Sequence, residues 1–578
     1  MVEILNQRRW SVAVVALPLL CFSLNCSSRK YYVRRPLVTE ENDTENIPKP
    51  KEDRVSFYGD AIDKIFGNEI DEFVNVTWHV RKLTNHHKQA KNINALGEVP
   101  NSSWFTNRNG AHPMSLEALK RGPNRGSGPD LSGLLTIISV KGVGKAPGFV
   151  IKDRRKDVYI LRFDPRGFPQ LNTAAEIIAT KFVYGAGYNT PETYLCAIDA
   201  KQLRIGEHVL IRNRWGRNVP MKYEDLGKIL DQAEPNPDGT YRALAAKSLH
   251  GERVGPFRYN SVRKDDANEH ISHHHRRELR GYKVIAAWLN LFDTMALNTL
   301  DLYVTENGKR FLRHYITGLA SSLGSDGTGP APTSRGHEGG FDLGKIALRM
   351  FTLGLWVRAW EKEPKIITPS VGYFESRLFN PGNYKFVVPN PAFQKATELD
   401  EFWGAKVVMS FTDEQIRAIV ETGQYARPQD REYVIRTLVE RRDKTGRYWY
   451  GKVNPLDDFR FTPGEEEHQG IEFVDLAVQG GFEKAAQTYY RYKLKYRDQD
   501  LTDYFVVKAR PYLSLEGETK QAIENFPGHI REEERIWTFK IQTKRGEHGS
   551  WGKYLELHFY YPSESTAAPQ IVALTRQN

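Results

Sequence analysis

The chain has 578 residues, of which 40% are hydrophobic and 26% are charged, and this composition excludes a wholly disordered protein. No run of about 18 consecutive apolar residues occurs, which excludes a protein with several membrane spans. Three cysteines are too few for a disulfide scaffold or a cysteine-ligated zinc module, and the net charge of +11 is spread along the chain, so we expect no nucleic-acid partner.

The first 26 residues predict a signal for export. Arg8 and Arg9 precede an apolar stretch at residues 10–24, which is short for a membrane-spanning helix and typical of a signal-peptide core. Cys26, directly after this core, resembles the processing site of bacterial lipoproteins. We therefore expect an exported protein of the cell envelope, periplasmic or at the cell surface, that is anchored to a membrane through a lipid on Cys26. An uncleaved N-terminal anchor is the alternative.

Composition divides the rest of the chain. A charged segment with several prolines predicts a flexible tether, and a glycine- and proline-rich stretch ends an N-terminal extension. Mixed strands and helices, then helices, then strands follow, and this order predicts an α+β fold. The expected regions are a signal peptide at 1–26, a tether at 27–55, the extension at 56–130, a strand-rich lobe at 131–200, a linker and mixed region at 201–345, a helical extension at 346–455 and a β-rich region at 456–578.

The strand-rich lobe carries a glycine loop. Alternating and periodic apolar residues predict strands at 134–140, 149–152, 158–163 and 190–198, and a helix at 173–184. The loop between the first two strands contains Gly142, Gly144 and Gly148. Backbone N–H groups of such a loop can cover phosphates, although a plain hairpin explains the glycines equally well.

A basic residue and an acidic residue follow that loop. Arg162 lies between two apolar neighbours on the third strand, and Glu176 lies in the next helix. Alternation along the strand puts Arg162 on the face of the glycine loop, where Glu176 can pair with it. Protein kinases hold nucleotide phosphates with this combination of strand cation and helix carboxylate. Together with the three glycines, these two residues predict a ligand-binding site.

A second pair of residues follows a strongly periodic helix expected at 276–292. Asp293 and Asn298 are separated by four residues, and strands are expected after them within 294–304 and at 309–317. In kinase catalytic loops this spacing supplies an aspartate that accepts the hydroxyl proton and an asparagine that holds a metal. The spacing alone is common, but its position after a glycine loop, a basic strand residue and a helix glutamate is not.

With these motifs the chain resembles the protein-kinase-like superfamily, in the atypical bacterial branch of HipA-like and CotH-like kinases, and more closely a family of exported bacterial proteins. The motifs shared with that family are PNSSWFTNR at 100–108, PGFVIKD at 147–153, RRELRG at 276–281 and NTLD at 298–301. The kinase resemblance implies a two-lobe core with an N-terminal extension, a helical C-terminal lobe and a terminal β unit. It also implies Asp293 as catalytic base, Asn298 as metal ligand, and ATP or another nucleotide with Mg²⁺ as the bound group.

Two departures from the kinase pattern argue against catalysis. Arg162 replaces the usual lysine, and its planar guanidinium differs in reach and geometry. Gly318, Leu319 and Ala320 replace Asp-Phe-Gly, so the main carboxylate ligand of Mg²⁺ is missing. Asp342 can supply that carboxylate if the loop before it is an insertion; its other interpretation is a helix N-cap.

Three functions stay open. The first, favoured here, is an exported, lipid-anchored kinase-like protein with impaired or absent phosphotransfer, which binds a nucleotide, another anion or a protein partner in the cleft between its lobes. The scarcity of ATP outside the cytoplasm argues against ATP itself. The second is a surface interaction or structural lipoprotein without ligand chemistry. The third is an active atypical phosphotransferase with Asp293 as base and Asn298 and Asp342 as metal ligands.

Basic residues at the start of the strong helix have a simpler interpretation. Three consecutive histidines at 273–275 point in different directions and favour a solvated helix start over a metal site. Arg276, Arg277 and Arg280, which flank Glu278, favour an exposed helix face, with contact to phosphates or lipid headgroups as the alternative.

Overall fold

The computed structural model describes residues 32, 34–53, 88–140, 147–213, 215–338, 357–462, 469–526, 530–563 and 568–577. The predictions for Cys26, Gly142, Gly144 and Asp342 fall outside these residues. The helices are α1 (Leu116–Arg121), α2 (Leu171–Gly185), α3 (Tyr223–Leu230), α4 (Arg277–Trp288), α5 (Pro391–Gln394), α6 (Glu398–Met409), α7 (Asp413–Glu421), α8 (Pro428–Tyr450), α9 (Leu476–Gln479) and α10 (Glu518–Glu524). Together with the strands below, they confirm the predicted α+β fold.

A six-stranded sheet is formed by strands within residues 135–247. The strands of this part of the chain are β1 (Leu135–Val140), β2 (Gly148–Lys152), β3 (Val158–Phe163), β4 (Thr193–Ile198), β5 (Leu203–Ile205), β6 (Leu210–Arg212), β7 (Asn218–Pro220) and β8 (Tyr241–Lys247). The sheet order is β4-β8-β3-β2-β1-β5, with β6 and β7 as a separate hairpin. Helix α2 covers one face of the sheet and α3 covers the other. Strand β8 comes from beyond residue 200 and pairs between β4 and β3, so this sheet extends past the boundary expected from composition.

The central part of the chain is mainly helical. It also holds an antiparallel sheet of order β11-β10-β9, formed by β9 (Glu252–Gly255), β10 (Thr299–Glu306) and β11 (Lys309–Ile316). Strands β10 and β11 form a hairpin and correspond to the two strands expected within 294–304 and at 309–317. Helices α4 and α6 approach closely at two glycines: a Cβ on Gly281 would lie 2.5 Å from Cε3 of Trp403, and one on Gly404 would lie 2.6 Å from the carbonyl oxygen of Gly281. A capping box lies at the start of α7, because Thr412 accepts from the backbone N–H of Gln415.

The C-terminal region consists of two further sheets. Strands β12 (Leu456–Phe461), β13 (Gly470–Asp475), β14 (Thr488–Tyr496), β15 (Gln499–Asp500), β16 (Phe505–Lys508), β17 (Tyr512–Ser514), β18 (Ile536–Arg545), β19 (Tyr554–Tyr560) and β20 (Gln570–Arg576) form them. Strands β18 and β19 pair antiparallel without a shift in register, within the region that was expected to be rich in strands. His558 lies in this sheet, where its Nδ1 bonds to Oγ1 of Thr538 at 2.9 Å, and burial, then the charge of Lys495, lowers its pKa to about 4.

Part of the expected tether is packed against the globular region. The backbone N–H of Ile47 donates to the carbonyl oxygen of Arg310, and that of Asp53 donates to Val254. Asp43 is buried and accepts from the backbone N–H and hydroxyl of Ser103. Residues 43–53 are therefore part of the folded structure, because their backbone and side-chain polar groups have partners there.

The prediction of an exposed arginine face on α4 is wrong. Arg276 and Arg280 are fully buried and Arg277 is 4% exposed. Carboxylates from other elements explain this burial: Asp400 of α6 accepts from Nε of Arg277 and Nη1 of Arg280, both at 2.9 Å, and Glu41 accepts two bonds from Arg276 at 3.0 Å. Buried charges are tolerated where opposite charges and hydrogen bonds compensate them, so these arginines anchor α4 to its neighbours.

Candidate functional site

The predicted pair on the first sheet is present. Nη1 of Arg162 lies 2.5 Å from Oε1 of Glu176, and their side chains are 15% and 5% exposed. Arg162 shares the α2-facing side of β3 with Ile160, because alternate residues of a strand point to the same side. This ion pair was expected from the sequence, whereas its role in binding a ligand stays a prediction.

The start of α2 is fixed by a buried carboxylate. Oδ1 of Asp164 accepts from the backbone N–H groups of Asn172 and Thr173, at 2.8 and 2.9 Å. These bonds satisfy N–H groups that a helix start leaves without partners. They hold the first turns of α2 against the end of β3, and so they position Glu176 one turn further along.

The guanidinium of Arg162 has N–H groups that donate to no described residue. Its hydrogen bond to Glu176 uses one Nη1–H, and no other residue that the structure describes accepts from it. A guanidinium carries five N–H groups in a planar fork, so one edge can serve the carboxylate while another faces a second anion. Gly148 is the cross-strand neighbour of Arg162 on β2, so the backbone that leads out of the predicted glycine loop runs beside this side chain.

The second predicted pair lies in the segment between α4 and β10. Nδ2 of Asn298 donates to the carbonyl oxygen of Asp293 at 2.9 Å, and both residues are half-buried. The backbone oxygen of Asn298 accepts from the N–H of Thr317 at 2.8 Å. The segment that follows β11 is thereby held beside Asn298.

Gly318 is the position where the sequence lacks the metal-binding aspartate. It has a φ of +66°, and a Cβ there would lie 2.2 Å from Oδ1 of Asn298. A carboxylate at this position would therefore displace Asn298. Asp293 and Asn298 supply one carboxylate and one amide. Among the described residues, the group that is compact enough to hold a metal ion lies elsewhere, at Asp266, Glu269 and His314. Asp293 and Asn298 by themselves therefore do not form the Mg²⁺ site that the kinase resemblance implies, and Asp342 lies outside the described residues.

The loop after Gly318 connects the two predicted pairs. The hydroxyl of Ser322 bonds to the carbonyl oxygen of Ala175 in α2, and Nδ2 of Asn172 donates to Gly327 at 2.6 Å. The backbone N–H of Leu323 donates to Leu289 at the end of α4. One loop thus contacts the helix that carries Glu176 and the segment that carries Asp293.

A buried polar cluster that was not expected from the sequence lies between the loop before α4 and the β10–β11 hairpin. Asp266, Glu269 and His314 meet there, although the chain shows none of the usual metal-binding spacings around them. The histidine triplet touches this cluster, since His273 is buried and bonds to Glu269. The expectation of a fully solvated triplet is therefore wrong for His273.

Comparisons with known proteins add one resemblance. No protein-family model and no curated protein matches the chain. Among five solved chains that match, the crystal structure of a Helicobacter pylori proinflammatory kinase, CtkA, is similar over 53% of this chain and 95% of that chain, with 14% identity and a TM-score of 0.28. Within the described residues, no helix is both long and apolar enough to cross a membrane.

Proposed function

We propose that this protein is a kinase-like binding protein that holds a phosphate-bearing ligand, with a nucleotide as the first candidate, and has little or no phosphotransfer activity. The observation that carries the proposal is the Arg162–Glu176 pair. A largely buried guanidinium that is fixed by a buried carboxylate, and that has N–H groups accepted by no other described residue, is suited to bidentate recognition of phosphate.

The geometry around Gly318 favours binding over catalysis. Phosphoryl transfer depends mainly on positioning and on a metal that neutralises the charge of the phosphates. Asn298 is bonded to the backbone of Asp293, and the aspartate usually found beside such an asparagine is replaced by a glycine without room for a side chain. We propose in addition that the protein has two lobes and that the ligand lies between the six-stranded sheet and the Asp293–Asn298 segment.

We also propose that the protein is exported and held to a membrane of the cell envelope by a lipid on Cys26. The support is the basic start, the apolar core and the cysteine directly after it. Metabolic labelling with an alkyne fatty acid tests this: the full chain should take up label and fractionate with membranes, and Cys26→Ser should do neither. Equal labelling of both chains would contradict lipidation at Cys26.

Ligand binding is tested by titration calorimetry with ADP, ATP and inorganic phosphate, each with Mg²⁺ and with EDTA. Replacing Arg162 by Met removes a charge-assisted contact of about 1.5–3 kcal/mol, so we expect binding to weaken roughly 10- to 150-fold. Because Asp293 and Asn298 by themselves do not form a Mg²⁺ site, EDTA should leave the affinity nearly unchanged.

Arg545 offers a matched control in the C-terminal sheet. It also pairs with a buried carboxylate, with Nη1 2.7 Å from Oδ2 of Asp475. Arg545→Met should leave ligand affinity unchanged. Binding that needs Mg²⁺ and is lost in Asp342→Asn would instead favour an active phosphotransferase, and no binding of any of these ligands would favour a surface interaction protein.

A further inference from the structure

A buried cluster near the β10–β11 hairpin has the composition of a metal site. Asp266, Glu269 and His314 each offer one ligand atom, and these atoms lie within 4.8 Å of one another. All three residues are buried. The cluster shares no residue with the proposed phosphate site, so an inference drawn from it is independent of that proposal.

The ring of His314 is held with one nitrogen facing the cluster. Its Nδ1 lies 2.7 Å from Oδ1 of Asp301, its partner across the hairpin, and Trp104 stacks on the ring at 3.5 Å between centroids. The carboxylate accepts from Nδ1, which leaves Nε2 with a lone pair when the ring is neutral. A carboxylate that orients the remote nitrogen is the usual support of a metal-binding histidine.

Glu269 points an unsatisfied oxygen at this nitrogen. Its Oε2 bonds to Nε2 of His273 at 2.8 Å and accepts the backbone N–H of Arg263 at 2.5 Å. Its Oε1 is buried, has no hydrogen-bond partner among the described residues, and lies 3.9 Å from Nε2 of His314. Two acceptors cannot bond to each other, so the gap between them calls for a cation or a proton.

The charge of the surroundings favours a cation. Three carboxylates converge here, from Asp266, Glu269 and Asp301, and Arg263 lies 3.3 Å from Asp301 as their arginine partner. Buried carboxylates in excess of their cations are costly unless a metal or protons compensate them.

We propose that Asp266, Glu269 and His314 bind one Zn²⁺-class divalent ion as a structural centre. One imidazole nitrogen and two carboxylate oxygens form a donor set that Zn²⁺ accepts at about 2.0–2.2 Å, distances that small side-chain rotations can reach from the separations seen here. The ion would tie the loop before α4 to the β10–β11 hairpin. Because the ligands are buried, its role is to stabilise the fold.

The test is the metal content of the full chain, purified without chelators and then dialysed against Zn²⁺ or Mn²⁺. We expect about one equivalent of Zn²⁺ per chain and a melting temperature at least about 5 °C lower after the metal is stripped. Glu269→Gln preserves shape and should lose most of the bound metal, as should His314→Gln. Circular dichroism at low temperature establishes that the variants are folded.

His558 supplies the control, since it is also a buried histidine but has hydroxyl partners instead of carboxylates. His558→Gln should keep the full metal content. If the cluster variants do not fold, substitution of the wild type with Co²⁺ still decides the question, because ligand-field bands show whether nitrogen and oxygen atoms of the protein bind the ion. A folded wild type that takes up neither ion, or a Glu269→Gln variant with unchanged metal content, would overturn the proposal in favour of a shared proton.

Discussion

Removing the charge of Asp400 is expected to destabilise the central helical region strongly. The carboxylate accepts from Arg277 and Arg280 at 2.9 Å each, and its Oδ2 also accepts from the N–H and hydroxyl of Thr397. Although burial raises the pKa of Asp400, the charges of the two arginines outweigh it and hold that pKa below its usual value. Asp400→Asn leaves two buried guanidinium groups without a counter-charge.

Loss of one partner of a buried ion pair costs about 3–5 kcal/mol. For a cooperatively folding unit of about 150–250 residues, a destabilisation of 1 kcal/mol lowers the melting temperature by about 2–4 °C, so we expect a decrease of roughly 6–20 °C. Scanning calorimetry at neutral pH measures it. The control is Glu432→Gln, which breaks the exposed pair with Arg417 and should leave the melting temperature nearly unchanged, because solvent screens exposed pairs. A melting temperature for Asp400→Asn within about 2 °C of the wild type would refute the argument that these arginines depend on this carboxylate.

Three further predictions concern other parts of the molecule. Because the pKa of His558 is lowered to about 4, its contribution to stability is complete above about pH 6.5 and is lost as the pH falls towards 4. At about pH 5 the wild type should have lost about 2 kcal/mol of its free energy of unfolding through this group. Urea unfolding of His558→Gln should show an acid-induced loss that is smaller by this amount. Gly281→Ala places a Cβ against Trp403 and should cost about 1–3 kcal/mol in the same assay. Gly318→Asp should not create Mg²⁺-dependent nucleotide binding in calorimetry, because its Cβ would displace Asn298.

Each of these predictions has a contrasting outcome. Equal acid sensitivity of the wild type and the His558 variant would mean that other groups titrate. For the helix contact, Gly227→Ala is the counterpart, because nothing lies within 4 Å of its Cβ, and it should stabilise α3 by about 0.5–1 kcal/mol. Mg²⁺-dependent binding in Gly318→Asp would mean that Asn298 can move aside.

The strands and helices around the Arg162–Glu176 pair were predictable because local patterns determine them. Alternation along β3 and the periodicity of α2 put the two side chains on facing surfaces, and the structure brings them to 2.5 Å. Burial of Arg280 was not predictable in this way. Its partner Asp400 lies 120 residues further along the chain, so the compensation depends on tertiary packing.

The buried cluster at His314 was missed for the same reason. Its ligand atoms come from a loop and from a hairpin strand, and Asp266 and Glu269 form an unremarkable acidic pair in the sequence. The alternation of β11 predicts that His314 faces the same side as its strand neighbours Leu312 and Ile316, which makes it a buried histidine among apolar residues. A histidine on the apolar side of a strand is the one signal in the sequence that could have indicated this cluster.

The central claim is that Arg162 holds a phosphate-bearing ligand, and calorimetric titration of ADP into wild type, Arg162→Met and Arg545→Met tests it most directly. The account predicts binding that persists in EDTA, that weakens roughly 10- to 150-fold in Arg162→Met, and that is unchanged in Arg545→Met. Equal affinity of wild type and Arg162→Met for ADP would contradict it.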